Sequence, residues 1–426
     1  MSQCMTANGQ TATQAGVKNP SVLGGAMIIA GTTIGAGMFS LPSVSAGMWF
    51  FYSLFVLFGT WLCMCHSGLM ILEANLNYPA GTSFDNIAKD CLARPVRLLN
   101  SLSVAFVLYI LTYAYISGGG SIVAHTVKAA VGIDVPMKLG GFLFALVLAF
   151  VVWLSTRAVD RISTIMLGGM ILTFFSSVSG LMFNVQPAVL FDTGDTSAPY
   201  SPFILATLPY FLTSFGYHGN VPGLVKYYNK DPKAVAKTII YGSFLGLILY
   251  VCWQLSVLGN IPREEFLDIV AKGGNMGILV GALSKVTGST NLDYLLQVFS
   301  HLAVATSFLG VTLGLFDCIA DNTLGFDDSR LGRTKTAIVT FVPPAIGGLF
   351  YPDGFIMAIG FAGLAATVFA VIVPAMMALA TRRKFGNTTY RAPGGNVMLY
   401  VTIAYGITVA ICHVLTMFDT LPVYGK

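Results

Sequence analysis

The stretch Ala30-Gly31-Thr32-Thr33-Ile34-Gly35-Ala36-Gly37-Met38-Phe39-Ser40-Leu41-Pro42 sets three glycines and a proline into an otherwise apolar run. Hydrocarbon penalises every unpaired backbone N–H and C=O, so irregular backbone at membrane depth persists only where it lines a cavity or meets a ligand. A helix interrupted here turns the N–H groups of one half-helix and the carbonyls of the other toward one small volume. Those partial charges suit a zwitterion, and the stretch reads as the floor of an amino-acid site in a secondary transporter. A second stretch repeats the pattern. Leu208-Pro209-Tyr210, followed by Ser214-Phe215-Gly216-Tyr217-His218-Gly219-Asn220-Val221-Pro222-Gly223, places Gly, Asn and Pro in another apolar run. Glycine loosens a helix, and proline removes a donor while crowding the preceding turn. Candidate substrate-binding residues are therefore Thr32, Thr33, Gly35, Ala36 and Gly37 at the first interruption. Ser214, Phe215, Gly216, Tyr217 and Asn220 are their counterparts at the second. Neither stretch is a phosphate loop, because no Gly-Lys-Ser/Thr follows. Glycine pairs elsewhere, such as Gly168-Gly169 and Gly347-Gly348, read as positions of close helix packing.

Ionisable groups within the apolar runs are functional hypotheses by default. His218 lies inside the second interruption and titrates near physiological pH, so it is either a proton site or a neutral imidazole bonded to a carbonyl. Glu73 closes the second apolar run within His66–Asn77, as a proton relay or as a helix-end carboxylate at the interface. Thr306 and Ser307 precede Phe308. Their hydroxyls bond a carbonyl of their own helix, bind a cation, or face the first interruption. His218, Glu73 and Thr306 are the candidate ion-coupling residues. Tyr109 and Tyr113 are four apart and so share a helix face, where phenols suit a pocket for an aromatic ring. The seven cysteines show no spacing of metal ligands and read as free apolar thiols.

These groups need a membrane-embedded scaffold. The chain of 426 residues is 55% hydrophobic and 10% charged, with mean hydropathy +0.76; soluble domains run at about 25% charged. The net charge of +5 carries no implication of nucleic-acid binding. Apolar runs long enough to cross a bilayer recur throughout. They predict eleven spans: 20–46, 49–74, 98–127, 139–156, 162–183, 201–225, 238–258, 291–319, 336–351, 355–380 and 396–418. Lys and Arg concentrate in alternate loops, for example Lys89, Arg94 and Arg97, then Lys226, Lys230, Lys233 and Lys237, then Arg382, Arg383, Lys384 and Arg391. The opposite set holds only Lys128, Lys138, Arg263, Lys272, Lys285 and Lys426. This asymmetry places the N-terminus in the cytoplasm and the C-terminus outside. Residues 1–19 read as a polar cytoplasmic tail without the pattern of a signal peptide.

The interrupted spans are the first and the sixth, the sequence pointer to two inverted repeats around a midplane site. Residues 20–183 and 201–380 form the repeats, 184–200 an acidic outer linker, and 381–426 an eleventh span with the outer C-terminus. An odd number of spans per repeat reverses the orientation of the second. The loop Gly259–Thr290 reads as short helices over the outer vestibule. Energetics favour ion-coupled symport. A zwitterion has no net charge, whereas a co-transported cation gains about 2.3 kcal/mol per 100 mV. That corresponds to roughly fifty-fold accumulation. No nucleotide-binding motif offers another source. Enzyme chemistry is not expected, since the spans offer scattered single histidines rather than paired acids or a nucleophile with its base. A non-transporting sensor would need a signalling domain or a partner, and the short cytoplasmic loops leave no room for the former.

Gly31–Met38, His66–Asn77, Tyr109–Ser117, Ser214–Pro222, Gly259–Arg263 and Ser307–Asp317 resemble the bacterial hydroxy/aromatic amino acid permeases, over nearly all of the chain beyond Pro20. Within that family Leu72–Tyr78 is more similar to the tryptophan-specific than to the tyrosine-specific members. The resemblance implies an all-α polytopic membrane protein with the LeuT-type 5+5 inverted-repeat fold, eleven helices, and helices 1 and 6 discontinuous. It implies import of L-tryptophan across the bacterial inner membrane by proton symport. Sodium is the alternative cation, and tyrosine or broad aromatic uptake the alternative range. Membrane lipids surround it, with no cofactor, metal, nucleic acid or obligate protein partner. By the same resemblance, N–H groups around Thr33–Gly37 hold the substrate carboxylate and carbonyls near Ser214–Gly216 take the ammonium. Tyr109, Tyr113, Phe215 and Phe308 then surround the indole. One departure stands out: family members often carry a lysine in span five, where this chain has Met170.

Overall fold

The computed structural model describes residues 20–35, 37–194, 199–320, 327, 329–386 and 389–425, and every regular element among them is helical. The first apolar run is a bent pair, α1 (Val22–Thr33) and α2 (Gly37–Ser45), inclined at 56°. Ser21 caps α1 by accepting from the Gly24 N–H at 3.0 Å. After α3 (Trp49–Asn75) come the short α4 (Phe84–Cys91), the long α5 (Arg94–Val131), α6 (Met137–Leu154) and α7 (Thr156–Phe183). A single turn, α8 (Pro187–Leu190), sits in the linker. The sixth run is α9 (Ile204–Ser214) and α10 (Val221–Tyr227), separated by non-helical backbone and the 3-10 turn His218–Asn220. Next is α11 (Pro232–Leu258), whose start is set by the Asp231 carboxylate accepting from the Lys233 and Ala234 N–H groups, with Pro232 at the first helical position. Two short helices, α12 (Glu265–Ala271) and α13 (Met276–Thr287), occupy the predicted loop Gly259–Thr290. The rest is α14 (Thr290–Cys318), α15 (Arg330–Phe350), α16 (Phe355–Ala366) running through the π-helical Thr367–Ile372 into α17 (Val373–Phe385), and α18 (Gly395–Met417).

Among the described residues eight helices are long and apolar enough to cross a bilayer, and the bent pair α1–α2 makes a ninth. Two of the eleven predicted spans stand apart for clear reasons. In the sixth, neither α9 nor α10 reaches membrane length alone. In the ninth, α15 opens with Arg330, Arg333 and Lys335 and contains Pro343 and Pro344. Large apolar side chains such as Phe51, Phe55, Ile165, Leu172 and Tyr400 cover the outer surface, as expected for a chain whose solvent there is hydrocarbon.

Inside, α14 packs on both α7 and α5, and α1 lies along α11. Small residues permit that last approach. A Cβ at Gly242 would fall 2.5 Å from Ile29 Cβ, and one at Gly246 would fall 2.7 Å from Thr33 Oγ1. At the end of α3, the fully buried Glu73 accepts two bonds from Arg382 of α17, at 2.6 and 2.8 Å, and one from the Ala392 N–H at 2.7 Å. This carboxylate ties three segments of chain together.

Candidate functional site

Backbone termini come first. The Ile34 N–H donates to the Ala30 carbonyl at 2.9 Å, closing α1, and the Met38 N–H donates to the Gly35 carbonyl at 3.0 Å as α2 begins. The Phe215 N–H donates to the Leu212 carbonyl at 3.1 Å, closing α9. Last-turn carbonyls of α1 and α9 and first-turn N–H groups of α2 lack intrahelical partners. Each carries the partial charge of its helix end.

Both carbonyl ends meet one side chain. The Tyr250 hydroxyl of α11 makes hydrogen-bonding contact with the Thr33 carbonyl and lies 2.5 Å from the Ser214 carbonyl. The Phe215 ring meets the Tyr250 ring edge-on, with centroids 5.3 Å apart. A Cβ at Gly35 would fall 2.6 Å from the Ser307 Oγ of α14, and one at Gly37 would fall 3.8 Å from the Ser214 Oγ. Ser307 also lies beside the buried Tyr115. Asn220 Nδ2 donates to Thr32 Oγ1 at 2.6 Å, joining the two interruptions directly. Thr32, Thr33, Gly35, Gly37, Ser214, Phe215, Asn220 and Ser307 thus come together, with Gly216 next in the chain. Ala36 lies outside the described residues.

Other expected residues face elsewhere. Tyr109 donates to the Val339 carbonyl at 3.0 Å and Tyr113 to the Tyr351 carbonyl at 2.7 Å, so both turn toward α15 and the turn after it. They do share a helix face, and it meets α15 and the turn after it rather than the interruptions. Tyr115, two residues on, points to the opposite side and reaches Ser307. Phe308 is one residue from Ser307, about 100° around the helix, and lies between Phe144 and Phe341. Tyr217 donates to the Met64 carbonyl of α3 at 3.0 Å and stacks on His218.

Of the ion-coupling candidates, His218 stands beside the break but faces α3. Its Nε2 is 2.6 Å from Ser67 Oγ and 3.2 Å from the Met64 carbonyl, and its buried Nδ1 has no partner among the described residues. Glu73 is remote from the break and held by Arg382 and Ala392. Thr306 donates to the Leu302 carbonyl of its own helix at 2.8 Å, and its Oγ1 lies 3.8 Å from Met170 Sδ. Met170 of span five therefore adjoins Thr306. Among the described residues no group of three His, Cys, Asp or Glu could hold a metal ion.

Tyr115, rather than Tyr109 or Tyr113, is the span-three phenol beside Ser307, and Tyr250 is the addition that sequence reasoning missed. The available signal was the series Gly242, Gly246 and Tyr250, four apart on one face of α11. Access to the break is uneven. Thr32, Gly216 and Gly219 retain free surface. At the α2 end the buried Phe39, Trp253 and Phe299 pack ring against ring at 5.3 to 6.0 Å. A cavity of about 280 Å³ borders the break between α1, α7 and α11, with Gly31, Ile34, Met170 and Leu249 in its wall.

Residues 18–413 match the model of the tryptophan/tyrosine permease family. The chain is 57% identical to the tryptophan-specific transport protein of Pseudomonas aeruginosa, over 96% of this chain and 97% of that one. It is 44% identical to the low affinity tryptophan permease of Escherichia coli (96% and 99% covered), and 41% identical to the tyrosine permease of Enterobacter agglomerans (95% and 98% covered). A scaffold of apolar helices long enough to cross a membrane accords with these likenesses. The chain belongs to the tryptophan/tyrosine permease family.

Proposed function

We propose that the chain imports tryptophan across the bacterial inner membrane, by cation symport and alternating access around its two interrupted helices. The observation that carries this reading is the convergence of the Thr33 and Ser214 carbonyls at one buried point, with Gly37 at the start of α2 beside Ser214. The family supplies the context, and the resemblance at Leu72–Tyr78 favours tryptophan over tyrosine. First-turn N–H groups of α2 would take the substrate carboxylate, and the end carbonyls of α1 and α9 its ammonium.

A 5+5 inverted repeat of eleven spans, with repeats at 20–183 and 201–380, draws support from packing. Exchanging each span for the one five places away converts the pair α1 and α11 into α9 and α3. The pair α7 and α14 becomes α16 and α5, and the pair α5 and α6 becomes α14 and α15. All six are packed pairs. The basic loops support a cytoplasmic N-terminus and an outer C-terminus. In that orientation the free surface at Thr32, Gly216 and Gly219 opens inward, and the Phe39, Trp253 and Phe299 cluster closes the outer side. The cavity between α1 and α7 leaves α1 room to swing, as alternating access requires.

For the coupled cation we propose a proton carried near His218, with sodium as the alternative in view of Met170. The test is uptake of labelled tryptophan into proteoliposomes under proton and sodium gradients imposed separately. Accumulation driven by the proton gradient is expected; accumulation driven by sodium alone would reassign the ion, and none under either would reject symport. If His218 carries the proton, wild-type uptake falls as outer pH rises, because fewer carriers load one. His218→Ala should flatten that profile. An unchanged profile removes His218 from the proton path.

A further inference from the structure

Resting on that reading, the position of one phenol takes it further. The Tyr250 hydroxyl sits on the two carbonyls assigned above to the substrate's ammonium. We propose that Tyr250 is a built-in occupant of the ammonium site, displaced by substrate on binding and restored on release.

The geometry is one of supply. Gly242 and Gly246 let α11 approach α1 closely, and Tyr250, one turn further along the same face, is thereby delivered to the end of α1. Its ring is fully buried and held edge-on by Phe215. The carbonyls of Thr33 and Ser214 each end a half-helix, so each carries partial negative charge. A phenol has one proton and donates it to one carbonyl at a time, which leaves the other carbonyl facing oxygen lone pairs. An ammonium has three N–H groups and serves both carbonyls together. Replacing the hydroxyl by an α-ammonium therefore improves the pairing at this point, while a ligand without an amine leaves Tyr250 in place. The same exchange explains how an unloaded carrier keeps α1 and α9 tied together during its return.

The test uses full-length protein in proteoliposomes with Tyr250→Phe, which keeps the ring and removes the hydroxyl. Tryptophan binding is expected to tighten roughly two- to tenfold, the range of one neutral hydrogen bond. Binding of indole-3-propionate, the same skeleton without the amine, should not change. Net uptake should slow, because unloaded return loses its tie, while tryptophan exchange persists. Weaker tryptophan binding with indole-3-propionate unchanged would overturn the proposal and make Tyr250 a direct ligand. Equal weakening of both would also overturn it and leave a structural role. If the variant fails to fold, fluorotyrosine at position 250 of the otherwise wild-type chain supplies the second measurement. Its fluorine NMR signal should move on adding tryptophan and stay put with indole-3-propionate; a signal indifferent to both rejects displacement. A wild-type protein that binds no tryptophan rejects the transport reading itself. Binding by the wild type without the Tyr250 effects rejects only this assignment.

Discussion

Gly35→Val is expected to abolish tryptophan uptake while the protein still inserts into the membrane. Gly35 is buried in the first interruption, and a Cβ there would stand 2.6 Å from Ser307 Oγ, closer than side-chain carbons approach such atoms. Valine adds two methyl groups beyond that contact, in the volume assigned to the substrate carboxylate. Insertion depends on apolar length, which the change leaves untouched. Gly35→Ala should be milder, since a single methyl displaces only the end of the short Ser307 side chain. Overpacking of this kind costs about 1–3 kcal/mol, or roughly five- to a hundredfold at about 1.4 kcal/mol per decade. Gly219→Ala is the control: it lies in the second interruption, but a Cβ there meets nothing within 4 Å, so its uptake should match wild type. Initial uptake rates normalised to protein in the membrane fraction provide the check. Wild-type rates in the valine variant would move the site away from Gly35.

The contrast between Gly35 and Tyr109 shows what can be read from residue order alone. Interruptions announce themselves, because Gly and Pro act on local backbone geometry wherever they occur. Hence both breaks lie where the sequence puts them, and Thr33 and Ser214 meet through a common partner. The facing of an uninterrupted helix is a different matter. Periodicity put Tyr109 and Tyr113 on one side of α5, but which side meets the break depends on how α5 rolls between α14 and α15. Nothing local fixes that roll. Tyr250 illustrates the converse case: it lies far from either break in sequence, and only the close approach of α11 to α1 brings it there. The span count is affected by the same limit. An interrupted helix such as α9–α10 loses the length that identifies a span, and α15 gives up apolar positions to Arg333 and Lys335. Glu73 reads from sequence as a proton relay or an interfacial helix-end carboxylate; its full burial and its ion pair are not legible there, since Arg382 is distant in the chain.

Glu73→Ala and Arg382→Ala should each destabilise the fold by about 3–5 kcal/mol, the cost of leaving a buried charge without its partner. Glu73 is 0% exposed and the Arg382 side chain 6% exposed, so water can replace neither. The carboxylate accepts from Arg382 Nε and Nη2 and from the Ala392 N–H, while Arg382 Nη1 donates to Asn396 Oδ1 at 2.7 Å. One pair therefore joins the end of α3, the end of α17 and the start of α18. Bidentate geometry makes lysine a poor substitute for Arg382, because an ammonium offers no planar fork. Replacing both residues together, as Glu73→Leu with Arg382→Met, should recover much of the loss, because no unpaired charge remains. Thermal unfolding in detergent separates these cases: single variants melt well below wild type and the double variant lies between. The same set decides the residue's role. A proton relay would leave the Glu73→Leu, Arg382→Met double variant folded but uncoupled from the gradient, whereas a structural tie leaves coupling intact in whatever fraction folds. We expect the second outcome, and an unchanged melting temperature in both single variants would show that the pair holds nothing together.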